Sequence, residues 1–594
     1  MSRLTAPAGT IAQRLALRVA QTPQAIAFQQ ERPGGGWSPV DWASFADRVA
    51  SVRRGLAAAG LARGDRLALI APVSLDWEVV HHAALSLGVA LVGLDAHDLP
   101  ARVAAMAEQA DVTAFATTEP RALSALSKAQ LGRLRLLVTM GEGPGDWPAA
   151  AQRLSLADLA VLGAQATEPE AAQPDDIATI LFTSGTTGAP KGIAYSHAQL
   201  CLALDVICQA FSFVRDDGRL LCWLPLSNLF QRMVNLAAMN NRATTYLLAD
   251  PRQVMAAVAE VGPDIFVGVP RFFDKLHAGL QAQVAALPAP QRLLVRWAWD
   301  IGRRMSRCRQ AGHTGSPGLR LAHRLADRLV LRRLRAVMGP RLRCMVTGSA
   351  PMSLAVLQDF DALGWLVLEA YGLSENVVPM AMNRIDAYRF GTVGRPLPGN
   401  EITIGDDGMV RVRGPGLFRG YLGEAEGTAR DAQGYYATGD LGTLDTDGFL
   451  RLTGRLGDLI KTSTGRRVAP AGVEAVLRGA PGVDQAVLLG AGRKVLVALC
   501  TGTPGSLDGA ALPALQAALR EAVAGLNPHE RPAGIALLEQ PFTIEAGELT
   551  SNLKLRRAEI ERRHAQRLDQ LCDRIDAQRG GADPLVILAP GDAH

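Results

Sequence analysis

Residues 177–192 read IATILFTSGTTGAPKG. The apolar run 177–182 has the length and character of a buried strand. A loop of Ser, Thr and Gly leaves it without a break and ends on a lysine. Gly185, Gly188 and Gly192 permit close backbone approach and positive φ. The hydroxyls of Thr183, Ser184, Thr186 and Thr187, with free backbone N–H groups, can surround phosphate oxygens, and Lys191 adds a point charge. The loop resembles a cradle for a nucleoside triphosphate. It is not the GxxxxGK[ST] loop, because neither Ser nor Thr follows the lysine. A flexible polar linker would not normally issue from a buried strand and run on into a second apolar segment.

Outward from this stretch, apolar runs alternate with helical patterns. GDRLALIA (64–71), GVALVGL (88–94), RLLCWLP (219–225), DIFVGVP (264–270) and LRCMVTG (342–348) predict buried strands. DWASFADRVASVRRGLAAAG (41–60) has helical spacing and stops on Gly60. The alternation predicts layered α/β subdomains with largely parallel sheets. Around 390–453 many turns and short alternating strands predict a small β-rich subdomain. After GRLGD (454–458) an α+β module begins, with strands in 481–490 and 494–500 and a helix over 511–526. The expected organisation is an N-terminal domain over 1–454, a small C-terminal domain over 455–562, and a helical, then polar tail over 563–594.

Composition narrows the function. A net charge of +5 on 594 residues carries no global nucleic-acid signal. Seven cysteines are scattered with no CxxC pair, which argues against a disulfide framework or zinc site and favours a reducing cytoplasm. The N-terminus lacks a signal-peptide core, and no apolar run reaches 18 residues. One segment stands apart. Residues 291–343 hold 14 Arg and only two acids, Asp300 and Asp327, interleaved with Leu, Val and Trp at helical spacing. They predict two amphipathic helices with solvated arginines. The functional alternative is a surface for peripheral membrane contact with anionic headgroups.

Further motifs follow in order: LPLSNLFQR (224–232), TGSAP (347–351), YGLSE (371–375), TGD (438–440), GRLGDLIK (454–461) and PFTIEAGELTSNLKLRR (541–557). With TSGTTGAPKG they resemble the signature set of the adenylate-forming (AMP-binding) superfamily over roughly 10–562. VPRFFDKL (269–276), TSTGRRVAP (462–470) and the closing ELT and LKLRR wording are most similar to its bacterial long-chain fatty acyl-CoA synthetases. The resemblance implies a fatty acid, medium- or long-chain, activated by ATP as an acyl-adenylate and passed to CoA, releasing pyrophosphate and AMP. The alternatives are a fatty acyl-AMP ligase, a ligase that loads a carrier-protein phosphopantetheine, and a non-catalytic nucleotide- or lipid-binding homologue.

By the same resemblance, Thr183, Ser184, Gly185, Thr186, Thr187, Gly188 and Lys191 hold the phosphates. Gly348, Ser349, Ala350 and Pro351 line the adenine pocket with Tyr371 and Gly372. Ser374 reaches the α-phosphate. Glu375 with Thr183 holds Mg2+, Asp440 and Arg455 bind the ribose hydroxyls, and Asn228 and Phe230 border the acyl pocket. Lys554 contacts the carboxylate and α-phosphate during adenylation. Lys461 lies on the opposite face of a small domain that swivels about Gly457 and Asp458. Three positions depart from the family's wording. Asn228 stands where the long-chain branch has His, Gln231 where it has Glu, and Ser374 where Thr is commoner. GLDAHDLP (93–100) also departs from the usual apolar, proline-bearing wording.

Overall fold

The computed structural model describes residues 9–591 apart from 33, 142–145, 149–151, 185–189, 216, 426, 428, 464–466, 544, 550–554 and 579–584, and without the side chain of Ser184. Two large sheets form the N-terminal part. A seven-stranded sheet runs in the order Gln152–Ser155, Leu136–Thr139, Ala114–Thr117, Arg66–Ile70, Ala90–Gly93, Ile177–Ser184, Pro190–Ser196. Its neighbours are parallel except the last pair. A nine-stranded sheet is parallel through its centre, where Thr244–Leu247, Arg219–Cys222, Ile265–Gly268, Cys344–Thr347 and Val367–Tyr371 lie side by side. The two edges of that sheet are antiparallel.

The sequence explains this arrangement locally. Parallel strands buried on both faces need continuous apolar runs. Ala90–Gly93, Ala114–Thr117, Ile265–Gly268 and Cys344–Thr347 are buried at every position. Helices cover them. Trp42–Ala58 starts on Asp41, whose side chain accepts from the Ser44 N–H, and it buries Phe45, Val49, Val52 and Leu56.

A four-stranded antiparallel sheet follows, Glu401–Ile404, Met409–Arg413, Tyr436–Leu444 and Leu450–Arg455, matching the β-rich texture of that region. Beyond it a second four-stranded sheet orders Val483–Leu489, Val497–Gly502, Gly534–Leu538 and Val586–Leu588. Separate apolar clusters line its two faces. The tail differs from the polar end expected. Helix Ala565–Ala577 packs Leu568, Leu571 and Ile575 onto this sheet, and Val586–Leu588 adds a parallel edge strand beside Gly534–Leu538. A five-residue apolar run between two prolines, LVILA at 585–589, is short for a strand signal, but one open edge and one apolar face recruit its central three residues.

The arginine-rich segment is helical, as expected. Ala289–Gln310 packs against a second run made of Pro317–Ala326, the π turn Asp327–Leu331 and Arg332–Arg335. Among the described residues no helix is long and apolar enough to cross a membrane.

Candidate active site

The strand leaving the apolar run reaches Thr183 and returns antiparallel as Pro190–Ser196, with Thr183 opposite Lys191. Gly185, Thr186, Thr187 and Gly188 lie outside the described residues. The return strand is met by the segment 416–422. Leu422 donates its N–H to Gly192 O (2.8 Å), and Ile193 bridges Tyr421. A Cβ on Gly192 would lie 2.6 Å from Leu422 Cδ1, so a larger residue here would displace the Leu422 side chain. Lys191 Nζ lies 4.6 Å from the centre of the Tyr421 ring and 3.9 Å from Glu424 Oε1.

Tyr421 connects that strand to the YGLSE segment. Its hydroxyl donates to Glu375 Oε1 at 2.7 Å. Tyr195 donates to the Ser374 carbonyl at 2.6 Å. Burial, reinforced by Glu375, raises both phenols well above their ordinary value, so both stay protonated donors. Among the described residues the second oxygen of Glu375 has no hydrogen-bond partner. A carboxylate with one free oxygen and the hydroxyl of Thr183 are hard oxygen donors, which suit Mg2+. The sequence singled out Glu375 but not these tyrosines, which lie far from it in the chain.

Tyr371 sits differently from an open stacking platform. Its ring is buried in the apolar cluster of the β-rich sheet with Val410, Val412 and Leu450. Its hydroxyl donates to Asp440 Oδ2 at 2.5 Å, and Arg455 Nε donates to Asp440 Oδ1 at 2.7 Å. Asp440 and Arg455 are directly opposite on paired strands. These three expected site residues therefore form one hydrogen-bonded unit, and the carboxylate keeps lone pairs for further donors. In TGSAP, Ser349 has a positive φ of 72°, rare for a residue with a Cβ and stored where a loop is held in one shape. A Cβ on Gly348 would lie 3.2 Å from Ala370 O, so this loop abuts the strand before Tyr371. Behind it, Glu369 accepts from the Met352 N–H (3.2 Å), and burial lifts its carboxyl to about 7.

Asn228 is the N-cap of helix Leu229–Asn240, accepting from the Phe230 N–H at 3.0 Å. Its partner Phe230 packs against the core under the nine-stranded sheet. Three residues on, Gln231 is fully buried. It accepts from the Leu224 N–H (3.4 Å) and donates to Asn235 (3.0 Å), which donates to buried Glu78 (2.6 Å). Arg232 is also buried and donates to Thr179 (2.8 Å). At the departure Gln231, a neutral amide supplies this buried network with both an acceptor and a donor, where a carboxylate would only accept. Burial lowers Arg232 to about 10 and His82, beside Glu78, to about 3.

In the small domain Lys461 is exposed on a two-stranded ribbon opposite Arg467. Gly457 has no positive φ and open space around it, whereas Gly454 has φ 156° and a Cβ there would lie 2.5 Å from Ala469 Cβ. In this conformation the backbone constraint falls on Gly454. Asp458 donates its N–H to Arg455 O in the adjoining turn. Lys554 lies outside the described residues. The chain on either side of 550–554 is anchored: Leu549 bridges Leu555, and Arg557 forms an ion pair with buried Glu474, which also accepts from the Leu488 N–H. The small domain meets helix Pro270–Ala286 through Arg271 with Asp484 (3.7 Å) and Asp274 with Arg478 (4.0 Å).

Comparison with known proteins identifies the family. Residues 15–422 match the family model described as AMP-binding enzyme, and residues 457–575 match the AMP-binding enzyme C-terminal domain. The chain is 30% identical over 566 residues to the long-chain-fatty-acid–CoA ligase FadD15 of Mycobacterium bovis, covering 90% of this chain and 93% of that protein. It is 33% identical over 426 residues to the putative fatty-acid–CoA ligase fadD11 of Mycobacterium tuberculosis, covering 68% and 74%. Among solved structures, the adenylation domain of a carboxylate reductase from Mycobacterium chelonae superposes with a TM-score of 0.75 at 21% identity, covering 95% of this chain and 91% of that one. The o-succinylbenzoate coenzyme A synthetase of Bacillus subtilis, in complex with ATP and magnesium, gives 0.67 at 21% identity, covering 92% and 98%.

Proposed function

The chain belongs to the AMP-binding enzyme family, and from that premise we propose how its own residues carry the reaction. It is an adenylate-forming fatty acid–CoA ligase that takes ATP and CoA as substrates. A carboxylate is a poor acylating agent because oxide would have to leave. Its oxygen attacks the α-phosphorus of ATP, and pyrophosphate departs. The thiol then attacks the acyl carbon and AMP leaves. The barrier is lowered by positioning and by neutralising phosphate charge.

The observation that carries the assignment of residues is the junction of Lys191, Tyr421 and Glu375. It joins the strand after the phosphate-loop motif to the carboxylate of YGLSE. In our reading Thr183, Ser184, the loop glycines and threonines and Lys191 hold the triphosphate, and Ser374 addresses the α-phosphate. The TGSAP loop and Gly372 border the adenine. The Tyr371, Asp440 and Arg455 unit presents its carboxylate to the ribose. Glu375 and Thr183 hold Mg2+, which offsets phosphate charge when bound. Asn228 and Phe230 border the acyl chain. Lys554 serves adenylation and Lys461 the thiol step, with a swivel between the domains near 457–458. Supporting that swivel, the inter-domain ion pairs are long and partly exposed, and such pairs cost little to exchange. The reading includes a cytoplasmic location, supported by seven free cysteines.

The test separates the half-reactions. Fatty-acid-dependent ATP–pyrophosphate exchange should be abolished by Lys554→Ala but largely kept by Lys461→Ala. Transfer from supplied acyl-AMP to CoA should show the reverse, more mildly. Acid-dependent exchange with transfer only to a carrier phosphopantetheine would make a carrier the acceptor. ATP binding without exchange would reduce the chain to a sensor, and equal failure of both variants in both steps would sink the swivel.

A further inference from the structure

The helical run from Pro317 to Arg335 is apolar on two sides. Its inner side, with Leu319, Ala322, Ala326 and Val330, packs on the core beneath the nine-stranded sheet. Its outer side carries Leu321, Leu325 and Leu329 at four-residue steps, 68%, 50% and 43% exposed. On the partner helix Ala289–Gln310, Leu293 (66%) and Trp297 (37%) are exposed one turn apart. Exposed leucines scattered singly need no explanation, but a row repeated across two packed helices does.

Next to the leucine row, one position round the helix, stands a second row, Arg320, Arg324, Arg328 and Arg332, all exposed. Among the described residues none of these four enters an ion pair, nor do Arg296 and Arg304 on the partner helix. The two acids of the segment are already engaged, Asp300 with Arg303 and Asp327 with Arg335. The face therefore presents unneutralised positive charge around an apolar stripe.

We propose that this face docks the enzyme on an anionic phospholipid bilayer. The leucines and Trp297 enter the boundary between headgroups and acyl chains. The arginines lay their stems along that boundary and pair with lipid phosphates. Charge alone would suit nucleic acid equally. The leucines decide between the two, because a phosphate backbone gives them nothing to bury against, whereas the acyl layer removes them from water. The proposal rests on the preceding reading for location only.

The test is flotation of the full chain with phosphatidylcholine vesicles and with vesicles also containing phosphatidylglycerol. Binding to the anionic vesicles is expected, weaker on the neutral ones and falling with salt. The double variant Leu321→Ser/Leu325→Ser and, separately, Arg324→Gln/Arg328→Gln should each weaken binding roughly tenfold. Both should melt like the parent and keep exchange activity on a short, water-soluble acid. The proposal is overturned if neither vesicle binds, if the leucine variant binds as the parent does, or if duplex DNA binds as tightly as anionic vesicles. It is also overturned if the leucine variant turns a dimer into a monomer, which makes the face a self-association surface. Loss of exchange in the parent would instead strike the catalytic reading.

Discussion

The guanidinium of Arg557 grips the carboxylate of Glu474, a buried residue of the small domain's helix Pro470–Arg478. The pair fixes the chain three residues beyond Lys554. Arg557→Met should cost about 3–5 kcal/mol, since it leaves a buried anion with only a backbone donor. Glu474→Leu/Arg557→Met should regain most of that in urea melts. Exchange should stay depressed in the double variant while transfer from supplied acyl-AMP persists. A double variant that exchanges like the parent would limit the pair to a structural role.

Glu375→Gln keeps the acceptor for Tyr421 but removes the anion. Its magnesium requirement for exchange should rise about tenfold or more, with the melting temperature nearly unchanged. A magnesium titration that overlays the parent's would remove Glu375 from the metal's ligands.

Asn228→His carries two consequences. The side chain caps helix Leu229–Asn240, and replacing a good cap costs about 1 kcal/mol. Imidazole also adds partial positive charge where the acid is proposed to enter, and each 1.36 kcal/mol changes a rate about tenfold. Adenylation across a panel of acids should shift while transfer from preformed acyl-AMP does not. An effect confined to the thiol step would put Asn228 on the wrong side of the reaction.

Glu369 supplies a pH dependence. Burial raises its carboxyl from 4.5 to about 7. Between those values the folded chain holds a proton that the unfolded chain has released, so this group's contribution to stability falls as pH rises from 4.5 to 7 and is level above. Glu369→Gln keeps an acceptor for the Met352 N–H and abolishes the penalty. The variant should match the parent near pH 4.5 and exceed it above pH 7, by up to about 3 kcal/mol. Parallel melting curves at both ends would refute the assignment.

Most of the framework was legible because buried parallel strands must be continuously apolar. The runs at 64–71, 88–94, 264–270 and 342–348 contain the strands Arg66–Ile70, Ala90–Gly93, Ile265–Gly268 and Cys344–Thr347. Asn228 could have been read as a cap from its position before LFQRMVNL. What the sequence hides is pairing at long range. Glu474 and Arg557 are 83 residues apart, and Asn235 reaches Glu78 across 157. Neither pairing leaves a periodic signal, because each depends on two elements that only folding brings together. Tyr371 is an intermediate case. Its motif marks the residue, but only the fold shows that its hydroxyl, not its ring face, reaches Asp440.

The sheets also differ in how much of the chain each needs. The seven-stranded sheet draws every strand from residues 66–196, so a ribosome that has released that stretch has released the whole sheet. The nine-stranded sheet joins Ile26–Glu31 and Trp37–Asp41 to strands as late as Arg395–Pro396. Its first two strands must wait, partnered only with each other, through the synthesis of the first sheet. The small domain waits longest. One edge of Gly534–Leu538 is covered by Val586–Leu588, so that edge stays unpaired until the chain has been made through residue 588.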